Sequence, residues 1–494
     1  MMGREEALQN QLFGLPKDLG ARVPEDHLLR RISGVLDLEF AYEKVGSVYG
    51  AVGNESIPPP TIIKMMLLLA LYNVSSERAF FRSLPMRVDW LWFLGYGWES
   101  EIPNHSVLSK ARRRWGAELF DRLFQESVDL CEQAGLIHGE EILIDSSLVD
   151  ANASIDSMFT NKLVTAALER LDDLESTDTE QQKRDPPSGE SSDTTESSDH
   201  DNEPKYRSRT DPDATGAKRR GERHARPRYQ THRVVDAGHG VITATTAGPG
   251  HQNEGHRLPE LVEQHTKRTH RRVDRLCADS QYGTADLLEY CEFNRITAYI
   301  PPLRDSRIHP KPGTFTECCF VYDAETDTYC CPAGQTMARS QYRTDRDAWR
   351  YSAPKGECAT CAFRIHCTES NHGRSVSRQQ RQEILDRATA QIKTVQGRRY
   401  RKKRKSMMEG SFAQSTRFGY KRARGRGLAN MIIQDYLVAS AQNLMIRVGW
   451  NRGPRKAQGI RQTASHDLLA AYLAPIRFFL RFLPPPRPLL LATA

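Results

Sequence analysis

The stretch Glu141-Ile142-Leu143-Ile144-Asp145-Ser146-Ser147-Leu148-Val149-Asp150 decides how the rest of the chain is read. Its apolar residues predict a buried β-strand, with Asp145 where the first apolar run ends. An uncompensated charge in such a strand is costly, so Asp145 needs either a cation or a set of hydrogen-bond donors. Taken alone, it also reads as a strand-end Asp that begins a turn with Ser146. The pattern then returns downstream. Val273-Asp274-Arg275-Leu276-Cys277-Ala278-Asp279-Ser280 is again an apolar strand that ends in Asp and a small hydroxyl residue.

Working outward, Tyr229 to Asp236 alternates as a strand, Ala237-Gly238-His239-Gly240 signals a hairpin turn, and Val241 to Thr246 is the partner strand. His256 to Lys267 and Thr284 to Asn294 read as helices, and Ile296 to Pro301 as a further strand. This order predicts a mixed α/β sheet with helices packed on it. Both aspartates then fall at strand C-terminal ends, where ligands of such sheets sit. Residues 25 to 138 read as helical, with helices over Asp26 to Tyr49, Ile62 to Tyr72, from Ser75-Ser76-Glu77-Arg78 onward, and over Leu119 to Leu136. Pro103-Asn104-His105-Ser106 leads into Val107 to Trp115, whose Lys110, Arg112, Arg113 and Arg114 make a basic face. Such a helix suits a helix-turn-helix on DNA, or else a solvated face of a bundle.

After Asp150 a helix is expected to about Leu174. From Glu175 to about Pro204 the chain is rich in Ser, Thr, Asp, Glu and Pro and reads as a disordered acidic loop or spacer. The chain has 494 residues, enough for two or three domains. Its 70 Lys and Arg against 62 Asp and Glu give +8, unevenly distributed. The N-terminus lacks an apolar signal region, and no run approaches the ~18 apolar residues of a membrane span. A cytoplasmic, nucleoid-associated location in a bacterium is expected.

Residues 303 to 398 hold seven of the ten cysteines. Cys358-Ala359-Thr360-Cys361 pairs two thiolates across a turn, and Cys331 and Cys367 complete a set of four soft ligands that suits structural Zn²⁺. Cys330, His366 and Cys318-Cys319 are alternative ligands, and reduced buried thiols are the alternative reading. Beyond this segment Glu409 is the only acid from Arg398 to Arg426. It stands among Arg401, Lys402, Lys403, Arg404, Lys405, Arg417, Lys421, Arg422, Arg424 and Arg426. That basic set suits a phosphate-contacting surface, a localisation signal or a solvated patch, and Glu409 alone could be a charge partner for the arginines. Leu428 to Met445 reads as a helix with a buried stripe. Asp145, Asp279 and Glu409 converging on one sheet edge would repel one another without cations. Two Mg²⁺ or Mn²⁺ ions would resolve that repulsion and support in-line phosphoryl transfer on DNA.

In that order, Asp–Asp–Glu, the chain resembles the DDE transposases of bacterial insertion sequences, in their IS5/IS1182-like group. The likeness rests on Ser75-Ser76-Glu77-Arg78, Trp92-Phe93-Leu94-Gly95 and Pro103-Asn104-His105-Ser106 in the helical region. It continues through Asp145 to Ser154, Thr210-Asp211-Pro212-Asp213-Ala214 and Ala278 to Gly283. Met408-Glu409-Gly410-Ser411-Phe412 with Arg422 to Leu428 completes it. The family's Lys seven residues after the Glu is Thr416 here, with Arg417 beside it. The resemblance implies a ribonuclease-H-like catalytic core with Asp145, Asp279 and Glu409 as ligands of two metal ions, Asp145 bridging them. It implies terminal inverted repeats and target DNA as partners, no membrane, and a homodimer or larger assembly on DNA.

The expected organisation is a helical DNA-binding domain (1–138), a first catalytic part (139–302, with 175–215 as the acidic loop) and a cysteine-rich insertion (303–398). A Glu-bearing final catalytic part (399–449) and a tail (450–494) follow. Two rival readings are a catalytically silent DNA-binding derivative of such an enzyme and a ribonuclease-H-like nuclease without strand transfer.

Overall fold

Ile142, Leu143 and Ile144 alternate between two apolar cores, and that alternation builds the architecture. In a computed structural model of the protein the described residues are 2–4, 19–50, 52, 54–160, 204–219, 221–303, 313–344 and 347–450. Met1–Val448 form one compact unit and Gly449–Ala494 a second; the first is described below. Apart from Gly449 and Trp450, the tail lies outside the described residues.

Seven helices come first: α1 (Leu28–Ser33), α2 (Phe40–Val45), α3 (Pro59–Leu71), α4 (Glu77–Ser83), α5 (Val88–Leu94), α6 (Ser106–Trp115) and α7 (Glu118–Gln133). Pro59 and Pro60 occupy the first turn of α3, where no intrahelical N–H is lost. The Ser76 side chain caps α4 by accepting from the Ala79 N–H at 3.2 Å, as its sequence position predicts.

The main sheet has the order β2-β3-β4-β5-β1-β7-β8, with β6 on β5. Its strands are β1 (Glu141–Asp150), β2 (Met158–Thr160), β3 (Tyr206–Ser208), β4 (Thr215–Ala217), β5 (Arg226–Asp236), β6 (Ile242–Pro249), β7 (Arg275–Cys277) and β8 (Thr297–Ala298). β1 runs antiparallel to β5 and parallel to β7, so the sheet is mixed as expected. Helices α8 (Leu258–Thr269) and α9 (Ala285–Phe293) are followed by a second, five-stranded antiparallel sheet. It is made of β9 (Val321–Asp323), β10 (Thr328–Cys330), β11 (Thr336–Arg343), β12 (Ala348–Ser352) and β13 (Ser375–Gln379). It spans the cysteine-rich residues and has a small core of its own, with Phe320, Tyr329, Met337, Tyr351 and Val376. Helices α10 (Gln382–Lys393), α11 (Val395–Arg417) and α12 (Leu428–Arg447) close the unit.

Ile142 and Ile144 pack with Leu258, Leu261 and Leu288 of α8 and α9. Leu143 packs on the opposite face with Phe124, Met408 and Ala439 of α7, α11 and α12. Each such side chain contributes about 1.5–3 kcal/mol by leaving water. α12 serves three cores: besides Ala439 on the sheet and Met431, Val438 and Ala441 in a further cluster, its Ile433, Leu437 and Leu444 belong to the core of the N-terminal helices. Residues 1–138 therefore share their apolar interior with the end of the unit. Arg233, on β5, is fully buried and paired with Asp435 of α12 at 3.2 Å. The Asp435 carboxylate also accepts from Thr245 and Tyr420.

Three expectations differ from what the chain does. The strand does not stop at Asp145; it continues to Asp150, because β5 pairs with it along the whole length. Within the span 175–215, β3 forms and β4 begins at its last residue, and Ile155–Ser157 and Met158–Thr160 are a 3₁₀ turn and a strand rather than the start of a helix. These short strands carry too few residues for periodicity to show. The rest of the expected helix and the acidic stretch, 161–203, lie outside the described residues.

Candidate active site

The parallel pairing of β1 with β7 ends at Leu143 opposite Cys277. Asp145 and Asp279 each stand two residues beyond that last pair, so the point where the strands part presents two carboxylates. Asp145 faces Arg233 in register and lies on the α11 side of the sheet. Arg404 of α11 donates to its Oδ2 at 2.8 Å, and the Ser146 N–H donates to Oδ1 at 3.0 Å. Burial raises the Asp145 carboxyl above its ordinary range; Arg404 and the Ser146 N–H oppose this and the charge of Asp279 adds to it. Asp279 caps the 3₁₀ turn Ser280–Tyr282, its Oδ1 accepting from the Gln281 N–H at 3.0 Å.

A third acid enters from the opposite face of the sheet. Glu254 opens the 3₁₀ turn Glu254–Arg257 ahead of α8, beside Ser146 and Gln230. Burial, together with Asp279 and Asp145, pushes its carboxyl up to about 7. Gln230 is buried, its amide N–H donating to Ser146 Oγ at 3.4 Å, while its Oε1 has no partner. On the same face His232 meets the Tyr282 hydroxyl at 3.0 Å, and burial drives its pKa down to about 3. Nothing in the sequence reading points to Glu254. It lies in Gln252-Asn253-Glu254-Gly255, which has neither strand nor helix periodicity, and only its place four residues before a Pro-started helix is distinctive.

Glu409 is exposed on α11. It follows Arg404 by five residues, which turns it about 140° around the helix from the side chain that meets Asp145. The structure thus brings Asp145 and Asp279 together and sets Glu409 on the other side of α11. The donor set at the notch consists of hard oxygens (two aspartates, Glu254, the unpaired Gln230 carbonyl) and so suits Mg²⁺ or Mn²⁺. Among the described residues, no three His, Cys, Asp or Glu side chains are already closed into a metal-ligating group.

The basic residues divide into two sets. Lys403 pairs with Glu141 at 3.7 Å, Arg404 with Asp145, and Arg112 with Glu77; the half-buried Arg424 donates to the Leu69 and Phe418 carbonyls at 3.1 and 3.2 Å. These four are engaged within the protein. Lys110, Arg113, Arg114, Arg401, Lys402, Lys405, Arg417, Lys421, Arg422 and Arg426 are exposed. A cavity of about 810 Å³ joins the N-terminal helices to α12 and is lined by Arg78, His105, Arg112, Asn152, Arg424 and Arg426 among others.

The four predicted cysteines converge. Cys331, Cys358, Cys361 and Cys367 line one cavity of about 30 Å³, roughly the share of one water molecule. Burial pushes the Cys367 thiol up, and Cys358, Cys331 and Cys361 add to the rise. Backbone N–H groups of Gln335 and Arg374 donate to the sulfurs of Cys331 and Cys358, both at 3.4 Å. Cys318, Cys319, Cys330 and His366 are exposed and do not line it. Four thiolates at one place repel each other unless a cation joins them, so the chemistry fits Zn²⁺ although the group is not closed to ligating geometry.

Comparison with known families gives two matches. Residues 17–114 match the model of a family described as Transposase domain (DUF772), and residues 330–446 match that of a family described as Transposase DDE domain. The first covers α1 to α5 and nearly all of α6. The second takes in the four cysteines and Glu409, and both contribute walls to the 810 Å³ cavity. No curated protein matches the chain. The two matches support a DDE transposase. Among the described residues no helix is long and apolar enough to cross a membrane.

Proposed function

We propose that the chain is the transposase of a bacterial insertion sequence in the IS5/IS1182-like group, cutting DNA at the element's ends and joining the freed 3′-hydroxyls to target DNA. The observation that carries this reading is the placement of Asp145 and Asp279, each two residues past the last β1–β7 pair. In this reading the sheet is ribonuclease-H-like, and Asp145, Asp279 and Glu409 hold two divalent cations, Mg²⁺ or Mn²⁺. When bound, such ions activate an attacking oxygen and stabilise a leaving 3′-oxygen. Arg404 neutralises Asp145 in the present arrangement, and bringing Glu409 to the same notch requires α11 to turn or shift against the sheet. The exposed basic residues of α6 and of 401–426 bind phosphates of the terminal inverted repeats and of target DNA, so affinity falls with salt. The protein works as a homodimer or larger assembly on paired ends, beside the nucleoid in the cytoplasm.

The test uses purified protein and a labelled duplex that carries the element's own end. Nicking at the end is expected with Mg²⁺ and not with EDTA, and Glu409→Gln is expected to bind the duplex without cutting it. Binding with no cutting by the unaltered protein would support the silent derivative instead. Cutting with no joined products would support the nuclease.

A structural zinc at Cys331, Cys358, Cys361 and Cys367 belongs to the same reading. Elemental analysis of purified protein is expected to find about one zinc per chain, and Cys358→Ser to lose most of it. Zinc-free protein of unaltered thermal stability would refute the assignment.

A further inference from the structure

Glu254 is held in place by the turn that it opens. Asn253 Oδ1 accepts from the Gly255 N–H at 3.0 Å and fixes the start of the 3₁₀ turn. A Cβ on Gly255 would stand 2.7 Å from Leu287 Cδ1 and 3.1 Å from the Gln281 carbonyl oxygen. The turn therefore presses directly on the backbone that follows Asp279. On its other side Glu254 lies beside Ser146, the residue after Asp145. One short turn thus brings a carboxylate within electrostatic reach of both aspartates, on the face away from α11. The second observation is Gln230, 3% exposed, whose amide bonds to Ser146 and whose Oε1 has no partner. An orphaned buried oxygen costs about 1–3 kcal/mol unless something coordinates or donates to it. An unpartnered buried oxygen thus belongs to the side chain that meets Ser146, next to Asp145.

We propose that Glu254 is a further carboxylate ligand of the divalent cation at the Asp145–Asp279 notch, acting from the opposite face of the sheet to Glu409. This rests on the two-metal reading of that notch. Glu254 is built into a fixed turn, whereas Glu409 rides on a helix that must move. A first cation accordingly binds the protein without DNA, through Asp145, Asp279 and Glu254.

The probe is Mn²⁺ alone, a hard cation that does not favour thiolates. Its binding to the full chain is followed by electron paramagnetic resonance in the absence of DNA. Unaltered protein is compared with Asp145→Asn, Asp279→Asn, Glu254→Gln, Glu254→Ala and Glu254→Asp. Thermal unfolding in EDTA verifies that each variant is folded, and two neutral variants at 254 guard against failure of one. The expected result is that the Gln and Ala variants weaken the tightest Mn²⁺ site at least tenfold, as the Asp variants do, and that Glu254→Asp recovers part of the loss. If the Asp variants lose Mn²⁺ and the Glu254 variants bind it like the unaltered protein, Glu254 is not a ligand and only this inference falls. If none of the variants changes binding, the metal reading of the notch falls with it.

Discussion

Asp145→Asn is expected to reduce DNA cleavage by at least about a hundredfold, since even a group behind a metal ligand typically costs 10–100-fold, and to leave the protein as stable as before or more so. The loss of activity follows from removing one of the two carboxylates where β1 and β7 part. The stability follows from proton linkage. Burial, with Asp279 close by, raises the Asp145 carboxyl, so the folded chain holds that proton more tightly than the unfolded chain. Ionisation therefore subtracts stability as pH rises from the ordinary carboxylate range through the raised value, and the full cost is present above it. Asn carries no such cost. Arg404 loses a partner, but both side chains keep some access to water, 18% and 25%, which limits the penalty. Thermal unfolding at pH 5 and pH 8, beside the cleavage assay, tests both halves. A variant that cuts normally, or one that unfolds far more easily at pH 8, would contradict the account.

Asp435→Ala is expected to cost about 3–5 kcal/mol, because it strands a buried cation. Arg233 has no exposed surface, and its Nε already lacks a partner. Its remaining acceptors are Ser415 Oγ and Gln442 Oε1, both neutral. Asp435 also accepts from Thr245 and Tyr420, so the buried Tyr420 hydroxyl loses its acceptor and Thr245 keeps only the His232 carbonyl at 3.1 Å. Asp435→Asn, which keeps an oxygen in place, is expected to lose less. Urea unfolding followed by the midpoint at constant slope gives the comparison. A midpoint for the Ala variant close to that of the unaltered chain would show that Arg233 does not depend on this carboxylate.

The parts of the site that were legible in the sequence share one property: they repeat or keep a spacing. Asp145 and Asp279 each follow an apolar strand and precede a small hydroxyl residue, and the structure brings them to equivalent positions. Cys358 and Cys361 keep a Cys-x-x-Cys spacing, and with Cys331 and Cys367 they line one cavity. What could not be read lies in contacts between distant segments. Glu254 belongs to a turn with no period, and its neighbours come from β1, β5 and the loop after β7. Arg404 sits in a run where every cation looks alike, and only folding distinguishes the one that meets Asp145 from Arg401 or Lys405, which stay exposed. Arg228 and Arg233 fall on opposite faces of β5, and charged residues in a strand read as outward, yet both are fully buried, each held by acids on other segments.

The position of α12 has a consequence for broken copies of the gene. Ile433, Leu437 and Leu444 complete an interior begun by α1 to α7 some three hundred residues earlier. A ribosome must translate past Leu428 before that interior can close, and the early helices wait with their oily faces open to water. A frameshift or stop codon anywhere upstream of α12 then yields a chain prone to aggregation and degradation.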